Sequence, residues 1–151
     1  MPKGSIETIY MSQDLPANQP LPQTIATVLH VDDDPLISEL IKYRLERQNC
    51  RVLVAKSGKE ALELFKKFPV DIAVLDVSMP RMDGFELLKE LRRLNPVLPV
   101  IMLTGLKDDK NLFMSLKHGC NSLLEKPVPI DLLISHIHRL IKSLPRTSQA
   151  A

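Results

Sequence analysis

Five short apolar runs, at residues 27–31, 51–55, 72–75, 100–103 and 122–125, are separated by segments whose apolar residues recur at helical spacing. Each run has the length of a buried strand and is too short for a buried helix. Strand and helix alternating in this way leave few architectures. Parallel strands are joined only through crossovers, crossovers are right-handed, and the helices they carry cover both faces of the sheet. The expected fold is therefore α/β, a doubly wound five-stranded parallel sheet. Ligands in such sheets bind beyond the carboxyl ends of the strands, so the residues that end each run are the first candidates for chemistry.

The helical segments carry their own punctuation. In the first, Asp34 is placed to cap, Pro35 occupies the first helical position, and Ile37, Leu40, Ile41 and Leu45 form the expected buried stripe. The second opens with a capping box, Ser57 to Glu60, ahead of Ala61, Leu62, Phe65 and Phe68. The third starts at Asp83-Gly84 and offers Leu87 or Leu88, Leu91 and Leu94 to a core. The fourth, 109–117, has the weakest apolar face, carried by Leu112, Phe113 and Leu116. The fifth begins near Pro129 and runs through Leu133, Ile137, Leu140, Ile141 and Leu144.

Residues 1–23 hold four prolines among Ser, Asn and Gln, a composition that buries too little apolar surface to order itself, so a flexible leader is expected. Residues 145–151 have the same character and are expected to form a flexible tail, leaving one folded unit at 24–144. The 151 residues are 44% hydrophobic and 25% charged, which suits a single domain with a real core. A net charge of +2 is far short of the basic excess of a typical nucleic-acid-binding domain. Cys50 and Cys120 stand far apart, with no second Cys or His at metal spacing, and read as free thiols. No apolar run approaches the ~20 residues that span a bilayer, and no signal-peptide core opens the chain. A cytoplasmic protein with no membrane partner is expected.

The first run ends in Asp32-Asp33-Asp34, the third in Asp76, the fourth in Thr104-Gly105 and the fifth in Lys126-Pro127. In the expected fold these residues share one edge of the sheet. Asp32, Asp33 and Asp76 would crowd like charges unless a cation or a proton compensates. A hard divalent ion, Mg²⁺ above all, suits carboxylate oxygens and accepts a phosphoryl oxygen as a further ligand. Asp76 would then be an in-line nucleophile that forms an acyl phosphate, with Thr104 and Lys126 neutralising the phosphoryl oxygens. Asp34 reads as a cap rather than a ligand. His30, His118, His136 and His138 lack partners at ligand or triad spacing and are expected in core or surface roles.

Four stretches carry a family resemblance: Val28-Leu-His-Val-Asp-Asp-Asp-Pro35, Ile72-Ala-Val-Leu-Asp-Val-Ser-Met-Pro80 with Met82-Asp83-Gly84, Val100-Ile-Met-Leu-Thr-Gly105, and Glu125-Lys-Pro127. In order and spacing, with 28 residues from Asp76 to Thr104 and 22 from there to Lys126, they resemble the receiver domains of two-component response regulators, here standing alone. The resemblance implies a flavodoxin-like (βα)5 fold with strand order 2-1-3-4-5. It also implies that Asp76 is the phosphoacceptor, that Asp33 binds Mg²⁺ directly with Asp32 assisting, and that the Ser78 main-chain carbonyl is a further ligand. Thr104 and Lys126 would bind the phosphoryl oxygens, and the Lys126-Pro127 peptide would be cis. Leu123 departs from the family pattern, which has an aromatic residue three positions before the lysine. An aromatic switch is thereby put in doubt, leaving aliphatic repacking or loop motion.

Three functions follow. The first is a signalling module, not an enzyme, whose Asp76 is charged by a histidine kinase or a histidine phosphotransfer protein and whose altered surface signals to an unknown downstream protein. The second is a phosphatase of the haloacid-dehalogenase type, disfavoured because the position two after the nucleophile is Ser78 rather than an aspartate. The third is a degenerate receiver acting as a scaffold, suggested by Leu123 alone. Direct DNA binding is not expected, because the residues after Leu144 hold no helix-turn-helix.

Overall fold

The computed structural model describes residues 24–77, 84–105 and 119–145. The expected leader, Ser78, the expected fourth helical segment at 109–117 and residues 146–151 of the expected tail lie outside them. Five strands form one parallel sheet: β1 (Ala26–Val31), β2 (Cys50–Ala55), β3 (Ile72–Asp76), β4 (Val100–Thr104) and β5 (Ser122–Glu125). Their order is β2-β1-β3-β4-β5, as expected, and every neighbouring pair is parallel. The described helices are α1 (Pro35–Glu46), α2 (Gly58–Lys67), α3 (Gly84–Leu94) and α4 (Ile130–Lys142).

Two apolar layers flank the sheet, and alternation along each strand decides which residue joins which. Leu29, Val31, Leu75 and Met102 face a core completed by Ala61 of α2 and Leu87, Leu88 and Leu91 of α3. Val28, Val74 and Ile101 face the opposite core, completed by Ile41 and Leu45 of α1 and Leu133 and Ile137 of α4. The central strands β1, β3 and β4 are buried along their whole length, whereas the edge strands β2 and β5 are only partly so. This explains why the central runs are nearly unbroken apolar sequence.

The local signals hold at the helix starts. The Asp34 carboxylate accepts from the amides of Leu36 and Ile37, with Pro35 at the first helical position. The Ser57 hydroxyl accepts from the Glu60 amide at 3.1 Å. The Glu60 carboxylate in turn accepts from the amide of Lys56 at 2.7 Å, one residue earlier than a reciprocal capping box predicts. Leu87 and Leu88 are both buried rather than one or the other.

The face of α1 is a correction. Ile41 and Leu45 are buried as expected, but Ile37 and Leu40 are exposed, and Ser38 takes the third inward position. The helix carries apolar residues nearly all round, at 36, 37, 40, 41, 43 and 45, so periodicity alone selects no face. Its packing against the edge strand β2 and against α4, where Arg44 meets Asp131 at 2.6 Å, makes that choice.

Candidate functional site

The chain just beyond β1, β3 and β5 is gripped by the neighbouring strand. The amide of Asp32 donates to Ala55, that of Val77 to Leu103, and that of Lys126 to the carbonyl of Thr104, at 3.0, 2.9 and 2.6 Å. Strand ends that are distant in sequence therefore present their side chains on a common rim.

On that rim Asp32, Asp33 and Asp76 each offer a carboxylate oxygen, all within 4.8 Å of one another. Asp32 and Asp76 are buried, while Asp33 is exposed. One oxygen of Asp32 accepts from the Asp34 amide at 2.9 Å; the other, Oδ2, is buried without a hydrogen-bond partner. Lys126 donates from Nζ to Asp76 Oδ2 at 2.8 Å across 50 residues of sequence. Thr104 is buried at the end of β4, beside the strand that carries Asp76. Of the site residues expected from sequence, the structure brings together Asp32, Asp33, Asp76 and Lys126, and sets Thr104 on the adjoining strand end. Ser78 lies outside the described residues. The Lys126-Pro127 peptide is cis, as expected.

An all-oxygen, triply acidic donor set with an orphaned buried carboxylate oxygen fits a hard divalent cation. Soft or imidazole-preferring metals have no thiol or imidazole in this group. Among the described residues a single lysine faces three carboxylates, an excess of negative charge that a cation would offset.

Two residues at the site were not singled out as functional by sequence. Gly84, read there only as part of a helix start, packs the first turn of α3 against the backbone that carries Asp76: an added Cβ would lie 2.5 Å from the Asp76 carbonyl oxygen and 2.7 Å from Val77 Cα. Its position just after Asp83, where the third helical segment opens, is the signal that marks it. His30, read as a core or surface residue, is wholly buried on β1 with Nε2 4.0 Å from Asp32 Oδ2. Burial lowers its pKa to about 4, with Asp76 acting to raise it and Lys126 to lower it, so the ring is neutral at physiological pH. Leu123, at the position of the family's aromatic residue, is partly buried and packs on the core formed with α2 and α3.

The model of the response regulator receiver domain matches residues 28–138. The chain is 39% identical over 101 residues to the response regulator GtcR of Aneurinibacillus migulanus, covering 67% of this chain and 41% of that protein. It is 40% identical over 116 residues to an uncharacterised 14.6 kDa protein of Leptolyngbya boryana, covering 74% of this chain and 88% of that one. It spans about half of two longer transcriptional regulatory proteins, 54% and 50% of their lengths. Among solved structures, the receiver domain of the Francisella response regulator 1452 superposes with a TM-score of 0.72 at 41% identity, covering 78% of this chain and 98% of that one.

Proposed function

The chain belongs to the response-regulator receiver family, and on that premise we propose that Asp76 is its phosphoacceptor, held ready by Lys126 beside an acidic Mg²⁺ site. Accepting a phosphoryl group is the general function of receiver domains, which are signalling modules rather than enzymes in their own right. The observation that carries the assignment is the 2.8 Å contact between Lys126 Nζ and Asp76 Oδ2 within 4.8 Å-spaced carboxylates.

Asp32, Asp33 and Asp76 would hold the metal, with the Ser78 carbonyl as a further ligand. Mg²⁺ supplies positive charge to the phosphoryl oxygens when bound. Asp76, buried but for the rim, is the carboxylate that attacks phosphorus, its oxygen kept on the acceptor side by the lysine. Lys126 then transfers its hydrogen bond from the carboxylate to a phosphoryl oxygen, so that the negative charge arriving at the site is met by a cation already in place. The Thr104 hydroxyl, on the next strand end, takes a second phosphoryl oxygen. The phosphorus–nitrogen bond to the donor's phosphohistidine breaks as the acyl phosphate forms, its electron pair leaving with the imidazole.

The donor is a histidine kinase or a histidine phosphotransfer protein, and the output passes through contacts of the receiver with a downstream protein. Among the described residues no helix is long and apolar enough to cross a membrane. We place the exchange in the cytoplasm.

Incubation with acetyl phosphate and Mg²⁺, followed by peptide mass spectrometry, should locate one acid-labile, hydroxylamine-sensitive phosphoryl group on Asp76. Undiminished labelling of Asp76→Asn would overturn the assignment. Multiple turnover on ordinary phosphomonoesters would instead support a phosphatase.

A further inference from the structure

His30 occupies a place on β1 that its neighbours in the sheet fill with aliphatic side chains: Val54 of β2 and Val74 of β3 stand opposite it in register, and Val28 precedes it on the same face. The ring is fully buried, and neither nitrogen has a hydrogen-bond partner. An imidazole in such a place is unfavourable to folding unless one of its polar atoms finds use. The carboxylate oxygen it faces is Asp32 Oδ2, 4.0 Å from Nε2, likewise buried and likewise without a partner. Two orphaned polar atoms, one able to donate and one only able to accept, thus face each other just beyond hydrogen-bonding reach.

We infer that His30 is a positioning residue for Asp32, its neutral Nε2–H donating to Asp32 Oδ2 from beneath the rim when the acidic cluster takes up Mg²⁺. The inference rests on the reading of Asp32 as part of that site. Asp32 already has Oδ1 fixed by the Asp34 amide. A second hydrogen bond at Oδ2 fixes the plane of the carboxylate, so that the remaining lone pairs point at the rim without a search among orientations. Because His30 is neutral, it orients the carboxylate without cancelling the negative charge that attracts the cation.

The test uses the full 151-residue chain and Mg²⁺ as the probe. Calorimetric titration should show Mg²⁺ binding weakened about 10- to 100-fold in His30→Phe, the range typical of lost outer-shell partners, and largely restored in His30→Gln, whose amide again donates. In the unaltered protein, nitrogen-15 NMR of the imidazole should show the Nε2–H tautomer, with its resonance shifting on addition of Mg²⁺; this measurement stands even if the Phe variant does not fold. Equal Mg²⁺ affinity in a folded His30→Phe, or an Nδ1–H tautomer in the unaltered protein, would overturn the role of His30 alone. Absence of Mg²⁺ binding by the unaltered protein would overturn the metal site as well.

Discussion

Gly84 and Asp76 meet backbone to backbone: the first turn of α3 lies so close to the end of β3 that a methyl group on Gly84 would stand 2.5 Å from the Asp76 carbonyl oxygen. The Gly84 amide also donates to the Val77 carbonyl at 2.7 Å. The end of the strand that presents Asp76 is therefore set by a helix that must approach without a side chain.

Gly84→Ala tests that close approach. The contacted atoms are backbone and cannot swing aside, so the substitution should destabilise the protein by ~1–3 kcal/mol, as overpacking does, despite alanine's better helix propensity. Urea unfolding measures it. A variant as stable as the parent would show that the contact is slack.

Lys126→Ala separates stability from chemistry. The lysine is about one-third exposed, so losing its ion pair with Asp76 should change folding stability by less than ~1 kcal/mol. Phosphoryl uptake from acetyl phosphate should slow by about 10²-fold or more, since a positioned donor to the developing charge is lost. Time-resolved intact-mass measurements read the rate; a change below tenfold would remove Lys126 from the transfer step.

Asp34→Ala distinguishes the cap from the metal site. Its carboxylate accepts from the Leu36 and Ile37 amides, so the variant should lose ~1 kcal/mol of stability. Mg²⁺ affinity should change far less than in Asp33→Ala. Comparable losses of affinity in both variants would make Asp34 part of the site.

Stability in the absence of metal should fall in acid because of His30. Its pKa is about 4 in the folded protein against an ordinary 6.5, so the unfolded chain binds the proton more readily between those values. The stabilisation from keeping the ring neutral is complete above pH 6.5, declines as the pH drops through that window, and levels off below about 4. The loss is on the order of 3 kcal/mol. Unfolding free energies from urea titrations in EDTA for the unaltered protein and His30→Phe should diverge by this amount, to the disadvantage of the unaltered protein, on going from pH 7 to pH 4. Parallel pH profiles would show that the ring is not held neutral.

The sequence by itself determined the strands, the helix starts and the residues that end each strand. Those properties are written in local residue patterns: short apolar runs of strand length, a proline behind a capping aspartate, a serine three residues ahead of a glutamate. The order and spacing of the aspartates, Thr104 and Lys126 then sufficed to group them. Only the tertiary structure decided which face of α1 is buried, because a helix apolar nearly all round takes its orientation from β2 and α4. It alone decided that Gly84 touches the Asp76 backbone and that His30 faces Asp32. Contacts of this kind depend on how far apart packed elements come to rest, a quantity that no local pattern of residue types encodes.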